Sequence, residues 1–444
     1  MKNNNQLFWA FTASLAGFLF GFDTVVISGA NLPIKALWNT SPAFHGMFIM
    51  SMALWGTVAG SLLGGLPSQK YGRKNTLIAI GLLYFLSALG SALANDPYLF
   101  SFFRFIGGLG VGASTVAAPM YISEISTPKN RGKLVALYQF SIVLGILIAF
   151  ISNYLLAGFD GENDWRWMLG VEAIPAALYA FAIFGVPKSP RWLVTVKHDL
   201  IGAKLVLSKM GVEDVDKELQ EIVDAEKKVD YRESFFKNYK KPLMLAFLLA
   251  MFNQLSGINF VLYYAPEILE ISGLAAKDSL FSAISIGGIN LVFTLCGLAL
   301  IDRLGRKQLL IIGSIGYIVS LGMIALSFYL SLSSSVLLSF ILLFIASHAI
   351  GQGAIIWVYI SEIFPNHVRS FGQSFGTGVH WIFAALITLL GPIVIDLFRV
   401  NPWPIFAIFA FFMVLQLLFS ILSMPETKGV SLEEIQNKLA LKKH

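Results

Sequence analysis

The chain has 444 residues, of which 56% are hydrophobic and 13% are charged. Soluble domains usually carry about 25% charged residues, so this composition excludes an ordinary water-soluble domain and makes the lipid bilayer the expected partner. The single cysteine, Cys296, excludes an internal disulfide and a four-cysteine metal site. The formal net charge of +6 is distributed as a topology signal, and we expect no nucleic-acid partner.

Twelve apolar runs are long enough to be membrane spans, which need about 20 mostly apolar residues. No small-residue cleavage site follows the first run, so we interpret it as a span and not as a signal peptide. The pattern predicts an all-α membrane protein of twelve transmembrane helices. In chain order the runs begin near Leu7, Phe44, Thr76, Tyr98, Leu134, Trp167, Leu243, Ser279, Gln308, Val336, Gly372 and Pro404.

A polar segment rich in Lys, Asp and Glu separates the first six runs from the last six. Helical periodicity in Leu200–Met210 and Val215–Val223 predicts short amphipathic helices in this segment. The predicted organisation is an N-terminal six-helix bundle (1–186), a cytoplasmic helical linker (187–242), a C-terminal six-helix bundle (243–424) and a cytoplasmic tail (425–444).

The positive residues are distributed unevenly between the two sets of loops. If both termini are cytoplasmic, 27 of the 32 Lys and Arg residues lie in inside segments and 4 lie in outside loops. The remaining one, Arg104, lies within a span. Positive residues collect on the cytoplasmic side of membrane proteins, so both termini are predicted to be cytoplasmic.

The two halves of the chain carry matching motifs. YGRK at Tyr71–Lys74 matches LGRK at Leu304–Lys307, with an offset of 233 residues. YISEI at Tyr121–Ile125 matches Tyr359–Ile363, and Pro187–Pro190 weakly matches Pro425–Lys428, both with an offset of 238 residues. The near-constant offset predicts a duplicated six-helix unit in parallel orientation, with the site where the halves meet.

These and further motifs, in this order, resemble the sugar porter family of the major facilitator superfamily over essentially the whole chain, and most of all its bacterial proton-coupled xylose and glucose symporters. The resemblance implies the twelve-helix major facilitator fold. The motifs that carry it are GFDT at Gly21–Thr24, RFIGG at Arg104–Gly108, RGKL at Arg131–Leu134, QLSGIN at Gln254–Asn259, DRLGRK at Asp302–Lys307 and PETKG at Pro425–Gly429.

Two charged residues lie within spans, Asp23 in the first and Arg104 in the fourth. Charges at this depth cost about 2.5–3.5 kcal/mol each on insertion scales, so they pair or serve function. An Asp that loses and regains an Arg partner would bind and release a proton, although a fixed structural pair would look the same in sequence. The resemblance implies that Asp23 is the proton-binding residue and Arg104 its partner. Glu172, early in the sixth span, is a second buried acid with either a coupling or an interfacial role.

Sugar hydroxyls both donate and accept hydrogen bonds, as amides do, and aromatic faces cover the C–H face of a sugar ring. In the seventh span Ser256 and Gly257 would loosen the helix between amides. The structural alternative for a lone amide in a membrane span is a hydrogen bond to a neighbouring helix. For a lone Trp it is a position at the membrane interface. The resemblance implies sugar contacts for Gln139, Gln254, Asn259, Asn290, Trp357 and Trp381. Asn253 stands where relatives carry Gln, and His380 stands where they carry an amide. Gly353 lies in a tenth span that lacks the usual prolines. We count these three residues, Phe22 and Tyr263 among the candidate sugar contacts, and Tyr264 as a gating residue.

Charged residues at the cytoplasmic ends of the spans are candidates for a latch that breaks as the halves move. The alternative is a topology signal alone, because positive charge belongs on this side. The latch candidates are Arg73, Glu124, Arg131, Asp302, Arg306, Glu362 and Arg369. Gln69 stands where the family motif of the first half has Asp or Asn, and Lys188 stands where it has an acidic residue. The first-half latch is therefore predicted to be the weaker one.

The sequence favours import of a monosaccharide, such as xylose or glucose, with a proton across the inner membrane, and the resemblance implies a functional monomer. A facilitative uniporter and a non-transporting sugar sensor are the alternatives. No Walker loop, zinc-ligand spacing or nucleophile elbow is present, so we expect no enzyme, metal or cofactor. The glycine-rich stretch Gly107–Gly112 lies inside an apolar run and predicts close helix packing.

Overall fold

The computed structural model describes residues 3–127, 130–226, 239–365 and 368–430. Within these ranges the chain is almost entirely helical and has no β-strand. Eleven segments are long and apolar enough to cross a membrane, and a bent helix pair makes a twelfth span. This confirms the all-α prediction. The spans are Asn3–Leu37, Pro42–Met50 with Met52–Leu63, Arg73–Leu93, Pro97–Glu124, Arg131–Leu156, Asp164–Gly170 with Ala173–Ala182, Lys240–Leu255 with Ile258–Ile271, Ala276–Leu304, Arg306–Tyr329, Ser334–Ile350 with Gln352–Glu362, Arg369–Leu397 and Trp403–Leu422.

Four of the spans are interrupted. The second bends by 41° at Ser51, after a π-helical stretch over His45–Met50. The seventh breaks at Gly257, whose φ of +83° is left-handed and favours glycine, as the sequence predicted. The tenth breaks at Gly351 without any proline, and the sixth turns at Glu172.

The structure divides into two compact units, which we describe separately. The first unit contains the described residues within Met1–Val26, Met52–Ala149 and Asn163–Tyr231. Its second and fourth spans approach backbone to backbone, because a side chain on Gly108 would strike the backbone of Ala53 and one on Gly112 that of Thr57. The glycine-rich stretch therefore serves helix packing, as predicted.

The second unit contains the described residues within Ile27–Ser51, Phe150–Glu162 and Arg232–His444. It is built on the seventh to twelfth spans. Close approach recurs here, since a side chain on Gly313 would meet Gly351 at 2.8 Å. The break in the tenth span is therefore packed directly against the ninth span.

The polar segment after the sixth span carries short capped helices, which belong to the first unit. They are Pro190–Thr195, Leu200–Met210 and Val215–Glu226, and the latter two were predicted from their periodicity. Asp199 caps Leu200–Met210 by accepting a hydrogen bond from the Gly202 amide at 2.8 Å. Left-handed Gly211 ends the same helix.

Candidate functional site

The two charged residues within spans of the first unit form a buried ion pair. Arg104 Nη1 lies 2.5 Å from Asp23 Oδ1, and both side chains are 2% exposed. Arg104 Nη2 also donates to the Asp23 carbonyl oxygen at 3.1 Å. Beside this pair, Gly21 of the first span packs against the backbone of Ile142 in the fifth span, where a side chain would not fit. A pair with such geometry holds both charges where an isolated one would be very costly.

Glu172 is a third charged residue in this buried cluster. It lies at the turn in the sixth span and is 2% exposed. Its carboxyl group is within hydrogen-bonding reach of Asp23 and interacts electrostatically with Arg104. Its Oε1 atom has no hydrogen-bond partner in the described parts of the chain. Two carboxyl groups therefore face one guanidinium, and a proton on either carboxyl balances the cluster.

In the second unit the seventh span brings three amides to its break. Asn253 and Gln254 end the helix Lys240–Leu255, and Asn259 begins the next one. Gln254 Nε2 donates to Asn253 Oδ1 at 3.0 Å and lies 3.1 Å from His380 Nε2. All are buried, so their polar atoms need partners.

Two polar atoms of this cluster have no hydrogen-bond partner within the described residues, namely Gln254 Oε1 and Asn259 Nδ2. His380 packs edge to face against two indole rings, with its ring centre 5.0 Å from that of Trp357 and 4.9 Å from that of Trp381. An unpaired acceptor, an unpaired donor and aromatic surfaces are the groups that a polyol ring requires.

The other predicted sugar contacts of the second unit lie in the same spans or their neighbours. Asn290 is buried in the eighth span, and Gly353 follows the break in the tenth. Tyr263 is buried after the break in the seventh. Tyr264 donates to the Thr388 carbonyl oxygen at 2.7 Å, and this bond ties it to the eleventh span. Its predicted gating role stays a prediction.

Gln139 and Phe22 belong to the first unit. Phe22, beside Asp23, is buried and lies 6.2 Å from the Phe18 ring, whereas Gln139 is half-buried in the fifth span. Their sugar contacts stay predictions.

The repeated motifs form an ion-pair cluster in the first unit. Arg73 Nη2 lies 2.8 Å from Glu124 Oε1, and Ser189 Oγ donates to Glu124 Oε2 at 2.5 Å. Gly72, with φ of +89°, makes the turn that precedes Arg73 and packs under the Trp192 ring.

The second unit repeats this cluster with more contacts. Arg306 grips Glu362 with two bonds, of 2.8 and 3.1 Å, and Thr427 donates to Glu362 at 2.6 Å. Asp302 lies 3.4 Å from the same guanidinium. Thr427 is the repeat counterpart of Ser189, so the duplicated motif preserves a hydroxyl that holds the acid.

Within the described residues, only the second cluster places a carboxylate at the N-terminus of the helix that carries its arginine. Glu426 accepts from the backbone N–H groups of Arg306 and Lys307, both at 3.0 Å. Its first-half counterpart is Lys188, which lies over the Trp192 ring. Arg131 and Arg369 form none of the ion pairs seen in the described residues.

Glu426 gives a pH-dependent prediction. Burial raises the pKa of Glu426, but hydrogen bonds from the N–H groups of Lys428, Arg306, Lys307 and Thr427 outweigh it and hold the pKa below its ordinary value of 4.5. A lowered pKa stabilises the fold above that value, and the contribution is lost as the pH falls through the folded-state pKa.

Glu426→Gln is therefore expected to lower the melting temperature near pH 7 by about 2–4 °C, the shift that about 1 kcal/mol produces in a domain of about 200 residues. The difference from wild type should shrink below pH 4.5. Lys188→Gln, at the matched position, serves as the control and should show no such pH step. A Glu426→Gln difference that stays constant down to pH 3.5 contradicts this account.

Several buried polar residues were not predicted from sequence. Gln352 donates to Gln416 at 2.9 Å, and Gln416 to Ser314 at 2.8 Å. A single amide in an apolar run was the available signal. A second group links His45 and Glu267 through Asn31, with 2.8 Å on each side.

Comparison with known proteins identifies the family and the fold. The family model "Sugar (and other) transporter" matches residues 9–439. An arabinose-proton symporter of Bacillus subtilis (strain 168) is 35% identical over 438 residues, which cover 96% of this chain and 93% of that protein. A D-xylose-proton symporter of Escherichia coli (strain K12) is 32% identical, with coverages of 96% and 94%. The solved xylose transporter XylE from E. coli, in a partially occluded inward-open conformation, matches with a TM-score of 0.86 and 30% identity over 96% of this chain and 100% of that one.

Proposed function

Because this chain belongs to the sugar transporter family of the major facilitator superfamily, we propose that it imports a monosaccharide by proton symport with alternating access. The family consists of transporters and not enzymes. The chain is a multi-pass membrane protein. Relatives named as arabinose-proton and D-xylose-proton symporters support a pentose substrate, and relatives named as glucose transporters support a hexose.

The observation that carries the proton coupling is the buried cluster of Asp23, Glu172 and Arg104. Two carboxyl groups and one guanidinium hold one net negative charge unless a proton is present. Burial makes that uncompensated charge unfavourable, so the cluster binds a proton in one state of the cycle and releases it when Arg104 or water solvates the carboxylates in another. A fixed structural pair would need no second acid.

Sugar binding is assigned to the amides and indoles described above. Gln254 and Asn259 supply an unpaired acceptor and donor, and Trp381 supplies an apolar face. In this proposal Gln139, Asn253, Asn290, Trp357, His380, Phe22, Tyr263 and Gly353 complete the site, and Tyr264 gates it. The sugar enters with its hydroxyls paired, so that no buried polar atom is stranded.

The remaining features of the proposal concern organisation. The two cytoplasmic ion-pair clusters act as the latch that biases the transport cycle, with the second the stronger because it contains more contacts. Both termini lie on the cytoplasmic side, and the two six-helix bundles are residues 1–186 and 243–424. The protein works as a monomer in the inner membrane. The uneven distribution of Lys and Arg supports this orientation.

Uptake into proteoliposomes tests the function. Labelled xylose, glucose, galactose and arabinose are offered with and without an inward proton gradient of one pH unit. One proton per sugar gives about tenfold accumulation of the correct sugar, because one pH unit is worth about 1.4 kcal/mol. Protein-free vesicles and a protonophore are the controls. Equilibration without accumulation would indicate a uniporter, and no entry of any sugar would contradict sugar transport.

A further inference from the structure

A chain of buried amides runs through the second unit and ends at the sugar-binding amides of the proposed function. Asn253 Nδ2 donates to Gln352 Oε1 at 3.3 Å, and Gln352 Nε2 donates to Gln416 Oε1 at 2.9 Å. Gln416 Nε2 then donates to Ser314 Oγ at 2.8 Å. Gln254 joins the other end through its bond to Asn253. All five side chains are buried, and they connect the seventh, ninth, tenth and twelfth spans.

The direction of donation along this chain is fixed at its far end. The Ser314 hydroxyl gives its proton to the Leu310 carbonyl oxygen at 2.7 Å, and a backbone carbonyl can only accept. Ser314 Oγ therefore accepts from Gln416, which must turn its nitrogen to Ser314 and its oxygen to Gln352. This order does not depend on which end of each amide is drawn as nitrogen.

The same order passes through the remaining amides. Gln352 turns its nitrogen to Gln416, so its oxygen faces Asn253. Asn253 turns its nitrogen to Gln352, so its oxygen faces Gln254 and takes one hydrogen from it. The nitrogen of Gln254 also lies against a His380 ring nitrogen, which must be an acceptor there.

Gln254 is consequently left with one unused atom, the acceptor Oε1, which no described residue bonds. We infer that Ser314, Gln416 and Gln352 are positioning residues that lock Gln254 as a hydrogen-bond acceptor, so that the site selects a sugar hydroxyl that donates its proton to Gln254 Oε1. The inference rests on the proposed function, because it concerns the same sugar site. The residues act through Gln254, and none of them needs to touch the sugar.

The bond between Asn253 and Gln352 also connects two helices near the points where each is interrupted. Asn253 lies four residues before the break at Gly257, and Gln352 directly follows the break at Gly351. An interhelical amide bond that serves stability alone would leave sugar discrimination unchanged when it is lost. A chain that sets the polarity of Gln254 would change discrimination, which separates the two roles.

The test measures binding of the transported sugar and of its monodeoxy and deoxyfluoro analogues to the purified full chain, in wild type and in Gln416→Met. Fluorine cannot donate a hydrogen bond, so in wild type one ring position should lose about tenfold in affinity with both analogues, as for one lost hydrogen bond. In Gln416→Met the Gln352 nitrogen keeps only its longer contact of 3.5 Å with the Leu249 carbonyl oxygen, so the amides can reverse and the Gln254 nitrogen can face the fluorine. The fluoro analogue should then bind better than the deoxy analogue at that position.

Gln416→Glu is the rescue variant, because a carboxyl oxygen still accepts from Gln352 and keeps the order of the chain, so its analogue profile should match wild type. Ser420→Ala, one turn away, removes a hydroxyl whose bond within the described parts of the chain goes to the Gln416 carbonyl oxygen, and it should also keep that profile. A wild-type profile in Gln416→Met, even with lower stability, overturns the inference and leaves the proposed function standing. If wild type binds none of the sugars, the proposed function fails and the inference fails with it.

Discussion

Replacing Asp23 with Asn is expected to abolish proton-driven accumulation of sugar, so that a one-unit pH gradient gives an internal-to-external ratio of about 1 instead of about 10. Asn cannot bind and release a proton, yet its oxygen can still accept from Arg104, which lies 2.5 Å from Asp23 Oδ1. Exchange of labelled for unlabelled sugar across the membrane should therefore continue. Accumulation and exchange are measured on the same proteoliposomes.

The retained exchange is also the control for folding. Removing one partner of a buried ion pair can cost about 3–5 kcal/mol, so a misfolded variant would lose both activities. Asp96→Asn is the matched substitution, because Asp96 caps the fourth span from an exposed position and Asn caps equally well. Glu172→Gln tests the second acid of the cluster. Undiminished accumulation by Asp23→Asn would show that the coupling proton is not carried by Asp23.

Replacing Gln254 with Leu is expected to weaken sugar affinity by about 10- to 100-fold. The substitution removes the acceptor offered to the sugar and leaves a sugar hydroxyl unpaired in a buried site, and each such loss costs about 1–3 kcal/mol. It also strands the Asn253 oxygen, which takes its hydrogen from Gln254 at 3.0 Å. The readout is the KM for uptake, together with equilibrium binding.

Gln220→Leu is the control for this prediction, because it removes an exposed linker amide whose side chain bonds Asp224. It should leave the KM unchanged. An unaltered KM in Gln254→Leu would show that the sugar does not bind at the break in the seventh span. The assignment of Asn259 and Trp381 as sugar contacts would then be wrong.

The fold could be predicted from sequence because its main constraints are local. A span of the bilayer requires an apolar run of about 20 residues. The uneven positive charge predicts the orientation of these runs, and the repeated motifs divide them into two halves. The break at Gly257 was predictable from a Ser-Gly pair within a span. The break at Gly351 was not located, because no proline marks it and it depends on close packing against Gly313 of the ninth span.

The site was predictable in part for the same reason. Asp23 and Arg104 stand out as charges in apolar runs, and their pairing needs little further information. Gln352 and Gln416 each look in sequence like one amide with one interhelical bond. Only their distances of 3.3, 2.9 and 2.8 Å along the chain from Asn253 to Ser314 reveal a connected series, which depends on tertiary structure.

The contacts of the repeated motifs could be predicted only in part. Their offset predicted a duplication, and each unit contains an Arg–Glu ion pair of 2.8 Å, Arg73 with Glu124 and Arg306 with Glu362. The sequence did not indicate that Ser189 and Thr427 donate to those acids, because a hydroxyl beside a proline-rich turn has many possible roles.

The most direct test of proton symport is the number of protons that enter with each sugar. Wild-type proteoliposomes without an imposed gradient receive the transported sugar on the outside, and external pH and labelled sugar uptake are recorded together. Our account predicts that the outside becomes alkaline as sugar enters, with about one proton per sugar, and that Asp23→Asn gives no pH change. Sugar entry into wild-type vesicles without any change in external pH would contradict proton symport.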